Sequence, residues 1–118
     1  MTPRRPSRRP RHADALQAAT ACFVASTVAC LRRVCPTPRG VRVRVLRADA
    51  APGEHGHCVS EDGRRFVISI YSDLSEVACE QILIHEWSHV LSWASDPDHG
   101  DDWGVTYARV YCAFYGVT

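Results

Sequence analysis

Two histidines and a glutamate in the run His85-Glu86-Trp87-Ser88-His89 are the residues of this chain best suited to chemistry. On a helix, residues four apart share a face with Cβ atoms about 5 to 6 Å apart. Both imidazoles can then reach one Zn²⁺ at about 2.0 to 2.1 Å. Glu86 projects beside such an ion rather than onto it. Its carboxylate can take a proton from a water whose pKa the metal lowers towards 7, and return it to a leaving amine, which is the chemistry of peptide-bond hydrolysis. About one shuffled chain in a hundred of this composition would contain H-E-x-x-H, so context has to separate a metal centre from two surface histidines paired with Glu86. Ile82, Leu83 and Ile84 precede the motif and Val90 and Leu91 follow it. This places it in the middle of a helix buried between a sheet and another helix.

A catalytic zinc needs a third protein ligand and an open position. Ser95-Asp96-Pro97-Asp98 predicts a turn, followed by His99-Gly100-Asp101-Asp102-Trp103. Trp103, Tyr107, Val110, Tyr111 and Phe114 fall at helical spacing, so a final amphipathic helix starts near Asp101. Packing of that helix on the H-E-x-x-H helix would bring His99 back to the metal, with Gly100 allowing a tight backbone. His99 is the favoured third ligand over Asp98, Asp101 and Asp102. Those acids are candidates to accept the free ring N–H of a ligating histidine, and Asp101 and Asp102 also suit the positive end of the helix. Tyr107 and Tyr111 could donate a phenol to a tetrahedral oxyanion, although their spacing fits core packing better.

The elements that must hold these residues are legible upstream. Asp73 and Glu76 form a capping-box pattern for a helix running to about Trp93. Val41, Val43 and Val45 alternate with Arg42 and Arg44, the period of a strand with one buried and one basic, wet face. After a loop at Pro52-Gly53, His55 to Val59 and Arg64 to Ile70 flank Glu61-Asp62-Gly63, and Asp-Gly predicts a type I′ hairpin with Phe66, Ile68 and Ile70 facing the core. His55 and His57 share a strand face but lack a nearby third ligand and are left out of the site. Leu16, Thr20, Phe23, Thr27, Cys30 or Leu31, and Val34 mark a packing helix from Ala13 to Val34, ended by Pro36 and Pro38. The order predicts an α+β domain: an N-terminal helix, a three-stranded mainly antiparallel sheet, the H-E-x-x-H helix and a C-terminal helix.

His85-Glu86-x-x-His89 followed by His99-Gly100-x-x-Trp103 resembles the SprT-like, or Spartan-type, zincin metallopeptidases, and among them the short members carried by phages and prophages. The resemblance covers residues 66 to 115 well and the earlier strands loosely. It implies a minimal zincin-like fold, one zinc held by His85, His89 and His99, and Glu86 as general acid/base. It also implies a protein or peptide substrate lying extended along an edge strand, by position near Phe66 to Ile70. Two features depart from the family: the stretch between His89 and His99 is short, and the C-terminal zinc ribbon of many relatives is absent, which leaves DNA-directed substrate choice in doubt.

At 118 residues, 46% hydrophobic and 23% charged, the chain fits one domain at 13–118 and does not match collagen, low-complexity or disordered compositions. All 14 basic residues are arginine. Five lie in residues 1–12 without an acid, while residues 13–118 hold nine arginines against 13 acids, a net of −4. Pro3, Pro6 and Pro10 make that leader a disordered arm, a candidate contact for nucleic acid phosphates. A second function class follows: a non-catalytic, zinc-stabilised DNA- or assembly-associated module bound through the arm. Six cysteines without a C-x-x-C pair read as reduced, largely buried thiols rather than a disulfide scaffold. Length and polarity argue against a membrane span and a cytoplasmic location is expected, the alternative being export if residues 1–29 act as a signal peptide.

Overall fold

A computed structural model describes residues 12–47, 55–94 and 99–117. The Arg-rich arm up to Arg11, the Pro52-Gly53 loop and the turn containing Asp98 lie outside the described residues. The chain forms α1 (His12–Val34), β1 (Gly40–Leu46), β2 (Gly56–Val59), β3 (Arg65–Tyr71), α2 (Glu76–Ser92) and α3 (Asp101–Tyr115). The described residues form a small α+β domain with three helices and one three-stranded sheet.

The sheet is mixed, with order β1-β3-β2, rather than mainly antiparallel. β2 and β3 form the expected antiparallel hairpin, whereas β1 runs parallel to β3. Alternating valines are silent on strand direction. In this parallel register Val41, Val43 and Val45 lie level with Phe66, Ile68 and Ile70, so all six side chains share one face. β3 is thereby the central strand. Val67 to Ile70 pair on both sides, so the segment named above as an edge for substrate has no free edge; in the described residues the strands with one are β1 and β2.

The core lies between the sheet and the helices. Phe66, Ile68 and Ile70 are buried against Leu83, Ile84, Trp87 and Val90 of α2, with Val24, Val28 and Leu31 of α1 closing the other side. Thr27 and Leu31 of the expected α1 stripe are buried and Phe23 packs partly buried on the core, joined by Val24 and Val28, whereas Leu16 is exposed. Ala15–Val34 is long and apolar enough to cross a membrane by length and composition, so those two criteria do not exclude a span. In the structure this segment packs one face on the domain. All six cysteines are free thiols, but only Cys79 is buried and Cys22 is exposed.

Two local expectations change. α2 is capped by Ser75, whose hydroxyl accepts the Ala78 N–H at 3.2 Å, not by Asp73. The hairpin turn is not type I′: Gly63 has φ 71° and no non-glycine residue among those described has positive φ. Asp62 instead accepts the N–H groups of Arg64 and Arg65, each at 2.9 Å, and Ser60 Oγ accepts that of Gly63. These backbone bonds, and secondarily the charge of Arg65, hold the Asp62 carboxyl below the usual carboxylate range. A carboxyl with a depressed folded pKa contributes stability above its unfolded pKa and loses it as pH falls through the folded value. Asp62→Ala is therefore expected to lower the melting temperature at neutral pH, with the gap between variant and wild type closing in acid below the range where Asp62 titrates.

Gly56 presses β2 onto α2. A Cβ there would lie 2.7 Å from Ile82 Cγ2 and 2.9 Å from the Ser69 carbonyl oxygen. Since the carbonyl belongs to the paired central strand, the strain cannot be relieved by a side-chain rotation alone. Gly56→Ala is expected to cost about 1 to 3 kcal/mol in denaturant unfolding, the usual range for overpacking.

Candidate metal centre

α2 carries two of the three histidines, and its orientation is set by the residues between them. Trp87 is fully buried and donates its indole N–H to the Cys35 carbonyl at 2.9 Å. Ser88 is fully buried too, its hydroxyl turned back onto the Ile84 carbonyl at 2.6 Å. With Trp87 in the core, His85 and His89 face α3. His99 enters from the residue pair ahead of α3, whose N-cap is Gly100 at φ −82° and ψ −164°. That backbone is extended and open to any residue, so Gly100 is not there for the left-handed region.

The three imidazoles converge through their Nε2 atoms. His85 to His89 is 3.2 Å, His89 to His99 3.1 Å and His99 to His85 3.0 Å. Three ring nitrogens cannot all satisfy one another by hydrogen bonding, because each presents either an N–H or a lone pair and at least one contact must set like against like. A cation at the centre removes that conflict. Ligands 2.0 to 2.1 Å from a tetrahedral ion are separated by about 3.3 Å, close to the observed edges, so these three side chains lie close enough to hold one metal ion. Burial, and then the charge of His99, lowers the His85 pKa and favours the neutral ring that a metal needs.

Trp103 of α3 backs the triangle, its ring centroid 4.9 Å from His85, 5.4 Å from His89 and 4.6 Å from His99. Tyr107 stacks on Trp103 at 5.0 Å. The spacing of the α3 aromatics announced the helix. That its first member packs against all three imidazoles needed the fold.

Glu86 leaves α2 on the sheet side of the triangle and is only 7% exposed. Burial pushes its carboxyl up to about 7. It lines, with His85, a cavity of about 510 Å³ bounded by Tyr107 of α3 and by His55 and Gly56 at the start of β2. His55, set aside from sequence, thus belongs to the walls. No local pattern could have found it, because only the pairing of β2 with β3 brings it there.

The other candidates divide. Tyr107 stands beside the site, its ring 6.4 Å from that of His85. Tyr111 lies farther along α3 and is 38% exposed, so neither the site nor the core contains it. Asp101 and Asp102 are exposed in the first turn of α3, without a hydrogen bond to an imidazole. Asp98 is outside the described residues. No family model, curated protein or solved structure matches the chain.

Proposed function

We propose that the domain is a zinc-dependent metallopeptidase of the SprT-like, zincin kind. The observation that carries this is the triangle of imidazole nitrogens with a buried carboxylate beside it, which among the described residues opens into a cavity. A structural zinc site is completed by a fourth protein ligand, whereas a catalytic one keeps a position for substrate. His85, His89 and His99 would hold the ion, which when bound supplies Lewis acidity to a scissile carbonyl and lowers the pKa of water.

The remaining chemistry belongs to the chain. Glu86 takes a proton from the attacking water and returns it to the departing amine; its buried position keeps bulk water from competing for that proton. Trp103 holds the imidazoles from behind. Tyr107, on the cavity wall, is within reach of a group bound next to His85 and is the better of the two tyrosines for steadying an oxyanion. An extended peptide would lie against β2, the edge strand that reaches the cavity at His55 and Gly56.

The test is unbiased cleavage profiling of zinc-loaded protein on protein and peptide mixtures, with and without DNA, beside Glu86→Gln. Cleavage that requires both the metal and Glu86 supports the proposal. A zinc-replete protein that cuts nothing, while loss of residues 2–11 abolishes nucleic-acid binding, would establish the non-catalytic module instead.

A further inference from the structure

We infer that the cavity beside Glu86 is a side-chain pocket selecting a large apolar residue next to the scissile bond of an extended polypeptide. This rests on the peptidase reading above and adds the class of substrate. The cavity has two unlike ends. At one stand His85 and Glu86, where bonds would be broken. Away from them the wall becomes Ile82 and Ala78, one turn apart on α2, with Gln81 beside them, and Leu74 just ahead of the helix, so that the apolar side chains form one ridge. Tyr107 faces this ridge from α3 and Gly56 from β2. A pocket continuous with the reacting centre can be filled by the same chain that is being cut.

The lining decides what fills it. It contains no lysine or arginine, and its carboxylate is Glu86, which proton transfer requires. An acidic side chain would meet Glu86, with no lysine or arginine and only the imidazole of His55 on the far wall to offset it. A basic one would shed its hydration against Leu74, Ala78 and Ile82, with Glu86 as the one lining carboxylate and only the neutral polar groups of Gln81 and Tyr107 beside it. An apolar side chain meets neither obstacle. About 510 Å³ is ample for leucine, methionine or an aromatic ring. The pocket is also held in shape: Gly56 sits so close to Ile82 that any larger residue would clash, which fixes β2 against the ridge.

Ala78 is the narrowest side chain on that ridge and is clear of the histidines and Glu86. The experiment compares zinc-loaded wild type, Ala78→Phe and the milder Ala78→Val on a proteome-derived peptide library, with cleavage sites read by mass spectrometry and folding checked by circular dichroism. For wild type, kcat/KM is expected to be about ten- to a hundredfold higher for Leu, Met, Phe or Tyr than for Ala or Ser at one position flanking the cut. In Ala78→Val that ratio falls, and in Ala78→Phe it collapses or inverts, as the new side chain takes the space. Cleavage by wild type without apolar preference, or with a preference that neither variant alters, overturns the pocket and leaves the peptidase standing. No cleavage by folded, zinc-loaded wild type overturns both.

Discussion

Glu86→Gln is expected to bind zinc about as well as wild type and to lose between about 10² and 10⁴ of its turnover, the contribution typical of a positioned general acid/base. The two outcomes separate because Glu86 is adjacent to the ligands without being one of the three that converge. Glutamine preserves shape and can still accept a hydrogen bond, but it cannot carry the proton. The wild-type carboxyl is buried and burial raises its pKa to about 7, so the neutral amide should not destabilise the fold. Paired measurements of metal content and peptide cleavage check this; a fully active variant would remove Glu86 from the mechanism.

His99→Ala is expected to weaken zinc binding by more than 100-fold, since substitutions that merely support a ligand already cost about 10- to 100-fold. The remaining pair on α2 would present two nitrogens 3.2 Å apart and no third. Stability reports the same loss. At zinc concentrations one hundred times the wild-type Kd, binding adds about 2.7 kcal/mol to unfolding, and this increment should shrink to little in the variant and vanish from wild type on chelation. Because His99 is exposed, the metal-free variant should melt close to metal-free wild type. A variant that bound zinc undiminished would show that something other than His99 completes the centre.

The parts of the molecule written in short-range pattern were legible. The H-E-x-x-H helix, the α3 aromatics and the inward face of β3 each follow from residues a turn or two apart, and His85, His89 and His99 do converge. The failures are of two kinds, one in long-range strand pairing and two in which neighbouring side chains compete for the same backbone amides. Alternation in β1 is the same whether its partner runs parallel or antiparallel, so the mixed sheet was invisible, and with it the central place of β3. The cap of α2 passed to Ser75 because the helix starts at Glu76, leaving Asp73 outside hydrogen-bonding position. Asp62-Gly63 suggested a two-residue turn, but the side chains of Ser60 and Asp62 satisfy the turn's amides without a second left-handed residue. In the site, the histidines and Tyr107 were readable and the facing wall was not: His55 meets them from an element distant in sequence.

That division has a practical consequence. Chelation draws on α2 and the few residues leading into α3, neighbours along the chain whose meeting closes only a short loop, whereas the cavity needs β2, held in place by the sheet. If the domain binds zinc, the metal therefore reports on the meeting of α2 and α3 more directly than on the strands. Metal stoichiometry would then certify that meeting, and the intactness of the cavity beside Glu86 has to be vouched for by a probe that senses β2.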